Sequence, residues 1–565
     1  MSYLKRAFVA ALCAVTFAWS QTTTDPNLTV DIVITGLSQP TCLLFHVRGN
    51  PNEFLVGEKA SGQVKLVRNG SVEAIALDLP VANNSERGLL GIAMDPAFDT
   101  NRYVYIYYSR STSDGGTWLD NRVSRFTWNP SASTLTGETL IISFPSDTTQ
   151  NNGPNHDGGI IQFGPDGKLY GITGDLNRGF LTNTRIEQNT ASATSGRYAN
   201  VGGIFRINTN STIPADNPFF AQTASQLRRL WAYGIRNSFG MMFDSLTGRL
   251  WFTENGPNLF DEINIAHKGM NSGWLKIMGP DSRNATYTEN GNVAYNADQL
   301  TILPNSQYYD PLYSWRSPIG VTSINFLRSA RYETNIRDAA LAGDANLGNL
   351  YKFDVNANRD DLILTGGVAD RVADSSTERN LNRWGTGWGV ITDMDIGADG
   401  YMYMTSLSNG AVYRLRPINP PTVLNGECRW LGYLGERLGI PVTLDLFNGT
   451  TLVETIVVEA DAFGKFSTRP AAPGNYTIVA KSPQALSKRL TGVTLPSGGY
   501  AYVLIDFDIL GDANNDNLID DSDLAMLLEA FGTNLPTTDF NGDGIVDDVD
   551  LSVLLMNFGL SGESP

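Results

Sequence analysis

The run Asn155-His156-Asp157-Gly158-Gly159 sets one of only three histidines in the chain, the others being His46 and His267, in a polar, glycine-rich loop. The loop feeds a short apolar strand, Ile160-Ile161-Gln162-Phe163. It then turns through Pro165-Asp166-Gly167 and returns along Lys168-Leu169-Tyr170 to Gly174-Asp175. A neutral imidazole at a strand mouth, with carboxylates at Asp157 and Asp175 able to orient it, has the form of a general base. Alone, such a histidine is more often a loop hydrogen-bonding group. The surrounding elements decide its weight.

A second set of chemical residues lies near the C-terminus. Asp512, Asn514, Asp516, Asp520 and Asp523 occupy positions 1, 3, 5, 9 and 12 of a calcium loop, with the Leu518 carbonyl at position 7. Asp539, Asn541, Asp543, Asp547 and Asp550 repeat that spacing 27 residues later, with the Ile545 carbonyl at position 7. Gly544 supplies the sharp turn at position 6. Asn517 stands there in the first loop, and asparagine tolerates left-handed backbone. Each loop runs into an apolar helix, Leu524 to Phe531 and Leu551 to Phe558.

The elements that must position the histidine are strands. From about Leu28 to Leu415 short β-rich runs alternate with Gly, Asn, Asp and Pro turns, as in Tyr103 to Tyr108 and Tyr401 to Met404. An Asp-bearing turn followed by an aromatic strand recurs at Asp95, Asp166, Asp244 and Asp399, with gaps of 71, 78 and 155 residues, the last about two periods. Such recurrence in an all-β region predicts propeller blades, about six. The chain is therefore expected to be mainly β. A six-bladed β-propeller over 28–416 precedes a small β-sandwich spacer of immunoglobulin-like or carboxypeptidase-regulatory-like type over 422–508, and an α-helical calcium-binding module over 509–560 closes the chain. Pro417 to Pro421 reads as a stiff linker.

Composition bounds the partners. The 565 residues carry a net charge of −17, which argues against nucleic acid. Lys5 and Arg6, the apolar run Ala7 to Phe17 and Ala18-Trp19-Ser20 predict a secretory signal over 1–20. No later stretch is long enough to span a bilayer. Export to the extracellular space or cell surface is expected. Cys13 lies inside the apolar run, so no lipid tether is expected. Cys42 and Cys428 either pair across a domain boundary or stay as two buried thiols, the second being favoured.

Two resemblances sharpen these expectations. The duplicated loop-helix, with Asp at position 12, resembles a type I dockerin, which implies docking onto a cohesin-like partner. Asp521-Ser522 and Asp548-Val549 lie where dockerins choose partners, and the two pairs differ. The large region resembles the soluble glucose/sorbosone dehydrogenases that use pyrroloquinoline quinone. The resemblance is carried by Glu86-Arg87-Gly88-Leu89-Leu90-Gly91, the His156 to Asp175 run, Trp231 to Asn237, Glu254 to Asn258 with Asp261 to Asn264, and Gly269 to Trp274.

That second resemblance implies a sugar or polyol substrate and His156 as catalytic base. It implies Arg236 beside the quinone oxygen, Asp175 shaping the site, and Glu86 and Asn237 among the cofactor contacts. It also implies that Gly256 and Pro257 offer carbonyls to a calcium ion. The chain departs from the family where a lysine is expected, at Gly343 to Gly348, and where two arginines are expected, at Val390 to Asp393. Phe239 replaces a polar residue. Arg383 and Arg316 are candidate substitutes for the missing cations. The alternative is a non-catalytic propeller that binds carbohydrate or protein. Hydrolysis is weaker still, because no carboxylate pair stands out.

Overall fold

The structure is a computed structural model and describes residues 21–144, 153–176, 201–223, 225–283, 285–288 and 291–565. The expected signal over 1–20 lies outside the described residues. Between Thr22 and Pro417 the described residues form six antiparallel-rich sheets. Their first strands are Pro40–Leu44, Leu89–Met94, Ile161–Phe163, Met241–Asp244, Val321–Phe326 and Ile391–Ile396. Each packs beside the first strand of the next sheet, and the sixth meets the first, giving a closed propeller-like ring.

Closure uses the N-terminus. Leu28–Ile34 pairs antiparallel with Ala411–Pro417 as the outermost strand of the sixth sheet, and Thr22–Thr23 pairs with Arg383–Thr386 in the fifth. Asp31 accepts from Arg414 (2.8 Å) and Arg416 (2.9 Å) across that seam.

The recurring Asp-aromatic pattern has a physical cause. Asp95, Asp166 and Asp399 each accept a turn N–H with one oxygen, and a hydroxyl from Tyr105, Tyr170 or Tyr403 with the other, at 3.0, 3.0 and 2.9 Å. The carboxylate thereby pins the turn between a sheet's first two strands to the strand that follows. At the fourth turn Asp244 accepts instead from Thr247 and from Arg359, the latter at 2.6 Å.

The sandwich is more closely joined to the ring than a spacer would be. Val423–Trp430 pairs with Lys465–Thr468 and, in parallel, with Tyr500–Phe507. Thr451–Glu459, Pro441–Asn448, Gly474–Lys481 and Lys488–Leu495 form the facing sheet. The three-stranded sheet lies across the C-terminal ends of the ring's first strands. Arg429 bonds Asp99 (2.5 Å), Arg48 pairs with Glu427, Arg331 donates to Pro421 and Gly498, and Ala462 N–H reaches the Ser245 carbonyl (2.8 Å). A cavity of about 390 Å³ remains between them, its walls including Asp393, Asp395, Lys465 and Phe463.

Two helices close the chain, Asp521–Ala530 and Asp548–Met556. Their apolar faces share one continuous core with the sandwich, Leu527 and Leu554 packing with Leu444, Ile478 and Phe507. Among the described residues no helix is long and apolar enough to cross a membrane.

Cys42 and Cys428 are both free and buried, one in the ring and one in the sandwich. Burial pushes each thiol up from its ordinary range, so neither presents a thiolate. Ellman's reagent is expected to label neither in the native protein and both in denaturant. An unlabelled pair in denaturant would instead reveal a disulfide.

Candidate active site

The loops preceding the first strands of the second, third and fourth sheets converge at one end of the ring. Glu86 comes from the first of these loops, His156 from the second, and Arg236 and Asn237 from the third. Asp175 follows the second strand of the third sheet, where its N–H bonds the Arg236 carbonyl at 2.8 Å.

His156 has left-handed backbone (φ 59°), a conformation that costs energy for a non-glycine residue and often marks a functional site. Its neighbours allow the close packing. A Cβ on Gly174 would sit 2.3 Å from the His156 carbonyl oxygen. The His156 N–H donates to Glu86 Oε2 (2.7 Å), and the same oxygen accepts from Asn237 Nδ2 (3.1 Å).

The imidazole is held by Asp175. His156 Nδ1 lies 2.6 Å from Asp175 Oδ1, and Trp274 Nε1 donates to Asp175 Oδ2 at 2.8 Å. Burial pushes the Asp175 carboxyl up. The His156 charge and hydrogen bond, with Arg236 and Trp274, outweigh that and hold it below the usual range. An ionised, buried carboxylate on Nδ1 fixes the tautomer with its proton there and leaves Nε2 as the basic nitrogen. Among the described residues nothing hydrogen-bonds Nε2.

Of the two acids expected to orient the ring, only Asp175 does so. Asp157 turns toward the second sheet and accepts from Asn121 Nδ2 at 2.8 Å. Successive side chains in this tight loop leave on opposite sides, so chain adjacency did not bring Asp157 to the ring.

Arg236 is nearly buried. Its N–H donates to Glu254 Oε1 (2.7 Å), and its Nη1 donates to the carbonyls of Asn255 (3.1 Å) and Gly256 (3.4 Å). Its guanidinium lies 5.4 Å from the centre of the Trp274 ring. Asp261 shapes the Gly256-Pro257 turn, accepting from the Gly256 N–H at 2.9 Å. Glu86, His156, Asp175, Arg236, Asn237 and Gly256 thus form one connected set.

Trp274 and Glu254 complete this set, and sequence reasoning assigned a role to neither. Trp274 fixes Asp175 from 99 residues along the chain, and Glu254 fixes the Arg236 N–H from 18. Arg316 stands at the rim of this end, its carbonyl accepting from Phe260 N–H while its side chain faces Asp374 at 3.6 Å. Arg383 lies on an outer strand of the fifth sheet, away from the set. The turn expected to carry a lysine presents exposed Ala345, Asn346 and Leu347.

The donors at this site suit a quinone cofactor and a metal. Among the described residues Asn237 Oδ1 is buried without a hydrogen-bond partner, so a polar group remains to be satisfied there. Arg236 supplies a fixed cation, and carbonyls at a tight turn are suitable donors for a hard cation. This set fits both groups.

The two C-terminal loops have closely matching internal geometry. Asp512 Oδ2 accepts from Asn517 N–H (3.0 Å), and Asp539 Oδ2 from Gly544 N–H (2.9 Å). Asp523 accepts from Asn514 and Asp520 N–H, as Asp550 does from Asn541 and Asp547. Asp516 and Asp543 accept from Leu518 and Ile545 N–H at 2.9 and 3.0 Å. Asp520 and Asp547 cap the two helices. Among the described residues no group of three or more His, Cys, Asp or Glu side chains is gathered closely enough to hold a metal. The fit at these loops rests instead on Asp512 Oδ1, which is buried with no hydrogen-bond partner, and on a donor set that includes asparagine amides and carbonyls.

Comparison with known proteins gives concordant matches. The glucose/sorbosone dehydrogenase family model matches residues 38–414. Quinoprotein glucose dehydrogenase B of Acinetobacter calcoaceticus is 30% identical over 284 residues, 48% of this chain and 55% of that protein, so the chain spans little more than half of that relative. The aldose sugar dehydrogenase of Escherichia coli is 26% identical over 60% of this chain and 79% of its own length. The apo crystal structure of the soluble aldose sugar dehydrogenase from Escherichia coli has a TM-score of 0.52 at 23% identity. It covers 69% of this chain and 99% of its own, a likeness of fold.

Asp157 yields a pH-dependent prediction. Burial, then the nearby Glu86, pushes its carboxyl up to about 8. The unfolded chain releases that proton near 3.8, so stability falls as pH rises from there to about 8 and is level above. Asp157→Asn keeps an acceptor for Asn121. Its melting temperature should exceed that of the unsubstituted protein at pH 8–9, by a margin that shrinks toward pH 4. A margin independent of pH would mean that Asp157 ionises normally.

Proposed function

The chain belongs to the glucose/sorbosone dehydrogenase family, and from that premise we propose that it is a secreted six-bladed propeller oxidising a sugar or related polyol with pyrroloquinoline quinone. The observation that carries the reading is the 2.6 Å contact between His156 Nδ1 and Asp175 Oδ1. A base needs its proton-accepting nitrogen free and its other nitrogen anchored, and this pair supplies both.

Arg236, Asn237 and Glu86 would hold the cofactor, and the carbonyls of Gly256 and Pro257 would hold a calcium ion beside it. The quinone, when bound, supplies the acceptor for the hydride leaving the carbinol carbon. His156 Nε2 takes the hydroxyl proton of the substrate as the carbonyl product forms. Asp175 keeps Nδ1 protonated and stabilises the imidazolium that results. Arg236, fixed from behind by Glu254 and the Asn255 carbonyl, presents positive charge where negative charge gathers.

The neutral rim at Ala345 to Leu347 supports a second reading. A tricarboxylate needs cations around it, and with fewer of them the ring would serve as a non-catalytic module binding carbohydrate or protein. The tail over 509–560 is read as a dockerin-like pair of calcium loops that engages a cohesin-like partner. The leader over 1–20 is read as the export signal.

Titration of pyrroloquinoline quinone with calcium into the chain lacking residues 1–20 tests the readings. Saturable one-to-one binding is expected for the unsubstituted protein and for His156→Ala, with sugar-dependent dye reduction only in the former. Asp175→Asn should bind the quinone and lose about 100-fold or more in kcat. Absence of binding would favour the recognition module.

A further inference from the structure

We propose that Lys481, a residue of the sandwich, is the built-in counter-ion of the first acidic loop and makes the two loops unequal cation sites. The second loop fills first. The first fills weakly and stays folded against the sandwich without a divalent ion. The inference rests on the calcium reading of the two loops.

The loops match in their internal hydrogen bonds and differ in what reaches their first carboxylate. Among the described residues Asp539 accepts only from loop backbone, Gly542 and Asp543 N–H on Oδ1 and Gly544 N–H on Oδ2. Asp512 is fully buried and takes the Lys481 ammonium on Oδ2 at 2.8 Å. Lys481 is itself fixed. Its other donors reach the carbonyls of Ser482 (3.1 Å) and Ala485 (2.6 Å), so all three N–H groups have acceptors. Among the described residues Asp512 Oδ1 has no hydrogen-bond partner, so the loop keeps one buried oxygen for a cation while a charge of the same sign sits behind the carboxylate.

The residue that breaks the loop pattern belongs to the same device. Asn517 takes left-handed backbone (φ 73°) at the place Gly544 fills in the second loop. Its side chain latches the sandwich, Oδ1 accepting from Ser487 N–H (2.8 Å) and Nδ2 donating to Ser487 Oγ (2.9 Å). Ser487 continues the seam to the Glu563 carbonyl at 2.7 Å, and Gln484 pairs with Asp512 as neighbouring strands. A glycine would satisfy the turn and lose the latch.

Clustered carboxylates repel one another until a cation neutralises them. In the first loop an ammonium already does part of that work. A divalent ion entering there gains less and meets repulsion from Lys481 at close range in a poorly screened site.

Calorimetric titration of calcium into the calcium-stripped chain lacking residues 1–20 reads the difference. Two loop-binding events should differ about tenfold or more in Kd. Asp539→Asn should abolish the tighter and Asp512→Asn the weaker, whatever a Lys481 variant does. Lys481→Met should tighten the weaker event about tenfold, and Lys481→Arg should leave it weak. With chelator present, amide exchange should rise in 548–556 while 521–530 stays protected. Equal affinities, assignment of the tighter event to Asp512, or an unchanged weaker event in Lys481→Met would overturn the proposal alone. No calcium binding sensitive to either aspartate would overturn the calcium reading with it.

Discussion

The ladder between Leu28–Ile34 and Ala411–Pro417 is the constraint on which the rest of the chain depends. A ring of separate sheets is tied shut when its last sheet is completed by the first strand. Joining strands nearly the whole ring apart in sequence has an entropic cost, but that cost grows by only about 0.6 kcal/mol for each doubling of loop length. A seven-residue strand of backbone hydrogen bonds with Val30 packed beneath it offsets that increment. The pairs of Asp31 with Arg414 and Arg416 are half-exposed, and such pairs contribute about 0–1 kcal/mol each. They set register more than they hold the ring shut.

Closure is what makes the candidate site possible. Its residues come from loops of three sheets and meet because the first strands are held around one axis. Buried charge at such a place is tolerable only when each group is paired. Asp175 meets His156 and Trp274, while the Arg236 backbone and guanidinium meet Glu254 and two carbonyls. Side chains held this firmly have little rotamer freedom left to lose when a ligand arrives, which is the form preorganisation takes in a rigid scaffold.

What could be read from the chain follows the range of the interaction. The Asp-Tyr turns were legible because both partners lie a few residues apart in two of the three cases. His156 and Asp175 were legible because one hairpin joins them. The matching geometry of the two acidic loops was legible because the residues that set each lie within twelve positions. Asp157 misled because adjacency says nothing about which side of a loop a carboxylate leaves from. Trp274 acts on a residue 99 positions away, and Glu254 acts on a backbone N–H that any residue type offers, so neither carries a local signature of its role. The Val423–Trp430 strand looked like part of a free spacer, since alternation in a strand reports a buried face but not what lies beyond the sheet edge. The contacts that fasten it, Arg429 to Asp99 and Arg331 to Pro421, join residues distant in sequence.

That fastening changes how the parts of the chain relate. The first strands run from the candidate site at their N-terminal ends to the sandwich at their C-terminal ends, so the sandwich caps the axis opposite His156. The capped space is lined by acids, with Asp393 pushed up to about 8 chiefly by burial and the Asp395 carboxyl raised for the same reason. Lys465 enters from the sandwich side, where burial acts to lower it and Tyr502, Glu427, Asp395 and Asp461 hold its ammonium above the ordinary range. Lys465 and Asp395 thus attract one another across the two domains. The sandwich in turn shares its core with both terminal helices. Ring, sandwich and terminal helices are therefore packed in series, with the His156 end of the axis facing away from the sandwich.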